Sequence, residues 1–311
     1  MYFPYIRGRQ FELLALRELV EKDSLSSQII PIIEPVKLTS TLITTMERFI
    51  DNDRKLCVIV NPTVGSFLDD MEPNAGINQQ KFIDLMSNNK IIKSYIVNDE
   101  VQESIDNFRD RFNMNESFII NTNRDNLSTC IKLLEYYQPS MTFIPDDRQF
   151  KRKVRIQRAL IADRFNKRSR NSDYADRPDE FFSDDHLYYK DENFIGFSDY
   201  SVIGSDFLES GFAPYAVAIH IVYFDEDYSL RIRHFVSDSN DDIQNPAGKF
   251  YEAVTKIQTW VNDKSINPTD SLQVFLNHYE NGTYPGLGSV KKISLMHHLE
   301  LIGTYLDEVS E

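Results

Sequence analysis

An alternation constrains this chain more than any other feature. Short aliphatic runs, apolar at nearly every position, recur along it, and each ends on a polar residue. They are Ile29-Ile30-Pro31-Ile32-Ile33 ending at Glu34, Leu56-Cys57-Val58-Ile59-Val60 at Asn61, and Tyr95-Ile96-Val97 at Asn98 and Asp99. Phe118-Ile119-Ile120 follows, ending at Asn121, then Met141-Thr142-Phe143-Ile144 at Pro145-Asp146-Asp147, then Ala159-Leu160-Ile161-Ala162 at Asp163. Phe194-Ile195-Gly196-Phe197, ending at Asp199, and Ala216-Val217-Ala218-Ile219, leading to His220, bring the candidate strands to eight. In the first half, helical spacing fills the gaps at 10–22, 40–52, 79–89, 101–112 and 125–137. A strand with one wet face alternates polar and apolar residues. A strand apolar throughout is covered on both faces, as in a parallel sheet wrapped by helices.

Eight such strands close a barrel. The expected fold class is therefore α/β, a (βα)8-type, TIM-like barrel with a long loop after strand six and C-terminal helices. It predicts that 29–33, 56–60, 94–97, 118–121, 142–145 and 159–162 are parallel neighbours. An open doubly wound sheet is the alternative; it differs by a reversal of strand order that sequence pattern does not carry. A single domain is expected over 1–311, with barrel elements to 245 and covering helices in 246–311, near 246–263, 269–279 and 289–308. Its 311 residues suit one α/β barrel. Residues 228–236 alternate polar and apolar side chains, as a half-exposed strand would, and are expected to form a hairpin with 216–224 across Asp225-Glu226-Asp227.

Residues 164–193 break the alternation. They are polar and contain Pro178. A connector this long in a compact domain is usually functional, and it leaves strand six at the end where barrel sites lie. It is expected to fold over the mouth as a partly ordered lid, packing through Phe181, Phe182, Tyr188 and Tyr189. Arg164, Arg168 or Arg170 would then meet Asp163, Asp185 or Asp199, because a buried arginine needs a partner.

In a barrel the C-terminal strand ends share one mouth. The polar residues there form a ring: Glu34, Asn61, Asp99, Asn121, Asp146, Asp163, Asp199 and His220. Crowded carboxylates shift one another's proton affinity, which suits acid–base work or a divalent cation. Glu34, Asp146, Asp163, Asp199 and His220 are the catalytic candidates. Arg7, Arg9, Asn61, Asp99, Asn121, Arg168 and Asp185 are the ligand-binding candidates. Taken one at a time, such Asp and Asn residues also serve as caps of the helix that follows. HExxH, CxxC, GxSxG and the phosphate-loop spacing are all absent, so no cofactor is indicated beyond that cation. Asp184-Asp185-His186 reads as a solvated turn, His297 and His298 as surface residues, and Ser289 as a helix N-cap.

The net charge of −14 disfavours nucleic acid as an average partner. Against it stand ten basic residues between Arg148 and Arg170, opposed only by Asp163. Lys151, Arg155 and Arg158 have the spacing of one helix face. The cluster suits a phosphate, a nucleic acid or an acidic partner, or simply a solvated helix. The two cysteines, Cys57 and Cys130, sit in apolar segments and read as small buried hydrophobes in a reducing compartment. The opening residues lack the pattern of a signal peptide, and no apolar stretch reaches the roughly 18 residues that span a bilayer. A cytoplasmic location is expected, with no membrane partner.

Two groups of motifs carry a resemblance. The opening Tyr2-Phe3-Pro4-Tyr5-Ile6-Arg7-Gly8-Arg9-Gln10-Phe11-Glu12-Leu13 with Pro31-Ile32-Ile33-Glu34-Pro35 is one. Phe181-Phe182-Ser183-Asp184-Asp185-His186, with Gly196-Phe197-Ser198-Asp199-Tyr200 and Ala216-Val217-Ala218-Ile219-His220, is the other. Together they resemble the bacterial and phage "beta protein" family over most of the chain. The resemblance implies an accessory protein of a mobile-element or anti-phage locus, encoded beside a restriction-endonuclease-like gene whose product is a candidate partner. It implies no catalytic residues. The expected function is binding of a partner protein or a phosphorylated, nucleotide-like ligand at a polar barrel mouth. A metal-assisted barrel hydrolase, such as a phosphodiesterase, is the alternative.

Overall fold

The structure is a computed structural model that describes residues 1–71, 76–108, 113–209 and 214–310. In chain order its elements begin with β1 (Tyr5–Arg7), α1 (Gln10–Glu21), β2 (Ile32–Glu34), α2 (Ser40–Asp51), β3 (Leu56–Ile59), α3 (Phe67–Asp70), α4 (Ile77–Met86), β4 (Ile91–Ile96) and α5 (Val101–Phe108). Next come β5 (Phe118–Ile120), α6 (Leu127–Tyr137), β6 (Met141–Ile144), α7 (Arg148–Lys153), β7 (Arg158–Ala162), β8 (Asp179–Ser183), α8 (Asp185–Tyr188) and β9 (Phe197–Asp199). The chain finishes with β10 (Ala218–Phe224), β11 (Leu230–Val236), α9 (Pro246–Lys264), α10 (Asp270–Glu280) and α11 (Leu287–Glu308). The end of the helix expected at 101–112 lies outside the described residues. The chain divides into two compact units. The first holds Met1–Asp23, Ser27–Asp163 and Asp185–Tyr200; the second holds Ser24–Ser26, Arg164–Asp184 and Ser201–Glu311.

The first unit is a nearly closed parallel barrel of eight strands in the order β1-β2-β3-β4-β5-β6-β7-β9. The six predicted neighbours pair in parallel, β2 through β7. Closure comes from Tyr2, which bridges Ile29 on one side and Phe197 on the other. Phe3 N donates to Phe197 O at 2.8 Å. Inward-facing Phe3, Tyr5, Ile32, Cys57, Ile59, Phe118, Phe143 and Ile161 fill the interior, so it is a packed core and not a pore. Gly196 is required here, because a Cβ would stand 2.5 Å from the Phe3 ring. The membership of the barrel differs from expectation by one strand. Tyr5–Arg7 takes the place assigned to 216–219, which is not a barrel strand.

In the second unit β10, β11 and β8 form an antiparallel sheet with β11 central. The hairpin expected between 216–224 and 228–236 is present. Ile219, Ile221 and Phe235 turn one face onto α9, α10 and α11, where Phe250, Ile257, Leu272, Phe275 and Ile293 complete the core. Residues 164–184 are not a partly ordered flap; they supply β8 and the 3-10 turn Asn171–Asp176 to this unit. Helix α11 is buried on nearly all sides, so its polar residues need internal partners. His297 and His298 are therefore not surface residues. His297 Nδ1 lies 2.8 Å from Thr269 Oγ1 and its Nε2 2.8 Å from Val222 O, while His298 Nδ1 lies 2.8 Å from Ser201 Oγ. Gly286, at a φ of 86°, precedes α11 where Ser289 was expected to cap. No helix among the described residues is long and apolar enough to cross a membrane.

Candidate functional site

At the barrel mouth Arg7 and Glu34 stand opposite each other in register, on the inward side shared with Tyr5. Tyr5 Oη donates to Glu34 Oε2 at 2.6 Å, Thr63 N and Oγ1 donate to Oε1 at 2.7 and 2.9 Å, and Arg7 forms an ion pair with the same carboxylate. Arg7 also lies over the rings of Tyr5 and Tyr200, at 5.2 and 5.7 Å. Four donors occupy both oxygens of a carboxylate with no solvent exposure. Glu34 has little capacity left for a substrate proton or a cation, so its geometry is that of an anchor. Asp163 is exposed at the same end. Burial raises the Tyr200 phenol, Asp163 adds to the rise and Arg7 opposes it.

The rest of the expected ring does not converge on Glu34. Asn61 is spent on the sheet: its Nδ2 donates to Ile96 O at 2.8 Å and its Oδ1 accepts from Ile96 N at 2.9 Å. Asn121 and Asp199 lie one residue out of phase with the interior set, so both point outward. Asn121 Oδ1 accepts from Asn123 N at 3.1 Å. Asp199 accepts from Tyr2 Oη at 2.6 Å, and the Tyr2 ring stacks on Phe197. Burial raises the Tyr2 phenol, and Asp199 and Asp185 add to it. Asp185 and His186 are buried in α8, not in a solvated turn. Asp146 is exposed and paired with Lys151, Asp99 is exposed in a turn, and Arg9 sits half-buried just before α1.

The basic cluster divides. α7 stops at Lys153, so Lys151, Arg155 and Arg158 do not share a helix face. Arg158 is a buried residue of β7. Its guanidinium donates to the carbonyls of Lys151, Val154, Glu192 and Asn193 at 2.9 to 3.3 Å and lies 5.0 Å from the Phe194 ring centre. Backbone carbonyls thus take the place of a carboxylate partner for this arginine. Asp147 caps α7 by accepting from Gln149 N at 2.8 Å and pairs with Arg124.

Lys167 and Arg168 belong to the second unit, whose sheet face away from the main core carries a polar group. Antiparallel register sets His220 of β10 opposite His234 of β11, with their Nδ1 atoms 2.8 Å apart. His220 is therefore not at a barrel strand end, and neither is Arg168. Tyr174 packs on both imidazoles at 4.6 and 4.7 Å. Behind them His234 Nε2 lies 3.3 Å from Glu180 Oε1, and Arg168 holds Glu180 at 2.9 Å. Burial first, then the neighbouring ring, pushes His220 down to about 3. His234 is also lowered by burial, with Glu180 opposing.

His220 forms part of the wall of a cavity of about 260 Å³. Lys167, Arg168 and Lys291 bring cationic groups to it, the first two paired with Asp206 and Glu180, Asn171 and Ser294 bring neutral polar ones, and among the described residues no carboxylate lines it. Val202, Ile203 and Leu287 give it an apolar side. Sequence reading singled out His220 and Arg168 but not His234 or Tyr174. The hairpin itself was the available signal, since His220 and His234 lie equally far from Asp227.

No group of three or more His, Cys, Asp or Glu side chains suited to a metal ion occurs among the described residues. Compared with known protein families, curated proteins and solved structures, the chain matches none.

Proposed function

We propose that this protein is a binding protein for a small phosphorylated or nucleotide-like ligand, seated in the cavity of the second unit. The observation that carries the reading is the cavity's lining: Lys167, Arg168 and Lys291 beside an apolar side, with the carboxylates of Asp206 and Glu180 that pair with the first two outside the lining. In a protein of net charge −14 a lining of cationic and neutral side chains favours an anion more than the rest of the surface does. At about 260 Å³ the cavity has room for one small molecule and not for a polymer. The mouth of the barrel is the weaker seat, because Glu34 is saturated and Asn61 is consumed by the sheet. A metal-assisted hydrolase lacks a converging donor set to rest on: Glu34, Asp146 and Asp199 answer to Tyr5, Lys151 and Tyr2 respectively.

The resemblance to the beta protein family supplies the setting: an accessory component of an anti-phage or mobile-element locus, coupled to a nuclease-like protein encoded beside it. Ligand binding in one component and nuclease activity in another would give such a locus a sensor and an effector. The test is calorimetric titration of the full chain with nucleoside monophosphates and with sulfate, repeated on Lys291→Ala. Saturable binding weakened by the variant supports the reading. Absence of binding to every anion in the set sinks it.

A further inference from the structure

The pair His220–His234 decides what the cavity wall offers a ligand beyond positive charge. One proton bridges the two Nδ1 atoms, and the ring that owns it is chosen from behind. Glu180 is acceptor-only when ionised, and Arg168 donates to it at 2.9 Å. His234 therefore carries its proton at Nε2, facing Glu180, and presents a bare Nδ1. A neutral imidazole has one donor and one acceptor nitrogen. His220 must then donate from Nδ1, which leaves its Nε2 as an acceptor. Among the described residues that Nε2 has no hydrogen-bond partner, and His220, unlike His234, lines the cavity.

We propose that the cavity selects a nucleoside monophosphate by its hydrogen-bond donor as well as its charge, with the phosphate near Lys167 and Lys291 and a base N–H donating to His220 Nε2. This rests on the anion-binding reading above. The apolar side formed by Val202, Ile203 and Leu287 suits the flat base. A ring as reluctant to take a proton as His220 serves as an acceptor and not as a general base at neutral pH. An anion without a donor, such as sulfate, would leave this half-buried acceptor to water and gain nothing from it, and that is the source of the discrimination.

Two measurements test the proposal on the full chain. Histidine-selective ¹⁵N NMR reads the tautomers directly: His220 is expected as the Nδ1–H form and His234 as the Nε2–H form between pH 6.5 and 8. An Nε2–H tautomer at His220 overturns the relay. Calorimetry with adenosine 5′-monophosphate, its N6,N6-dimethyl analogue, the other nucleoside monophosphates and sulfate reads the ligand. At least one nucleoside monophosphate is expected to bind, about tenfold more weakly in His220→Phe, with sulfate affinity the same in both proteins. If the adenine form is the tight one, dimethylation should cost as much as the variant. Nucleotide binding that Lys291→Ala weakens and His220→Phe leaves alone defeats the donor reading while sparing the anion reading. Failure of every anion to bind defeats both. Thermal melting of His220→Phe confirms that a loss of affinity is not a loss of fold.

Discussion

The barrel mouth and the second unit's cavity both gather polar side chains, and they differ in what is left over. At the mouth, Arg7, Tyr5 and Thr63 converge on Glu34 until both carboxylate oxygens are used. In the second unit Arg168 and His234 hold Glu180 behind the cavity, and the wall keeps one nitrogen, His220 Nε2, without a hydrogen-bond partner among the described residues. A cluster of polar residues becomes a site only when partnering stops short of completion. The mouth spends its groups on holding β1 to β2 and to the chain after β3; the cavity keeps capacity for a guest.

The largest test of this contrast is Glu34→Ala. It strands a half-buried Arg7 and a buried Tyr5 hydroxyl, so the barrel should lose about 3–5 kcal/mol, read by chemical denaturation. A loss under about 1 kcal/mol would mean that the clasp is not structural. Next is acid sensitivity in the second unit. His220 and His297 are held at about 3 and about 4 by burial, below the unfolded value near 6.5. The unfolded chain therefore binds more protons between those limits, and stability is full above pH 6.5 and falls toward pH 4. The charged or titratable groups around the histidine pair, His234, Glu180, Arg168 and Asp179, act on it from β8, β11 and the segment before them. Glu300, raised by burial, gains protons in the fold and offsets part of the loss. Denaturation midpoints at pH 7.5 and 4.5 should diverge less in His297→Gln than in the unmodified chain; equal divergence would remove His297 from the account.

Arg158→Ala comes third, at about 2 kcal/mol, because it leaves four carbonyls, of residues 151, 154, 192 and 193, without their donor, that of Val154 buried. Lys291→Ala should weaken nucleotide binding about tenfold, or about 1.4 kcal/mol, read by calorimetry. Asp146→Ala should do least. Its pair with Lys151 is exposed, and a change under about 0.5 kcal/mol with unaltered binding is expected. A loss of binding in that variant would return the site to the mouth.

Much of the barrel was readable because strands covered on both faces must be apolar at each position, as in Leu56–Ile59 and Phe118–Ile120. Tyr5-Ile6-Arg7 escaped notice because it is three residues long and its arginine is neutralised only by a partner 27 positions away. Ala216–Ile219 misled for the opposite reason: a strand between helices and a covered hairpin strand have the same composition. Residue type also named polar strand ends without saying which way they faced, so Asn121 and Asp199 looked like mouth residues although pleating turns them outward. The cavity depended on cross-strand register and on β8, neither of which has a local signature.

The interleaved path of the chain has a consequence for synthesis. β1 to β7 leave the ribosome first, yet the closing strand β9 follows only after 164–184, a segment that pairs with nothing until β11 appears. The nascent barrel thus waits with an open seam between β7 and Tyr2, and β8 waits as an unsatisfied edge. Both exposed edges are the kind that recruit chaperones or mispair between neighbouring chains. No single cut separates the two units, so truncation after Tyr200 would strand β8, and truncation before Asp185 would leave the barrel unclosed.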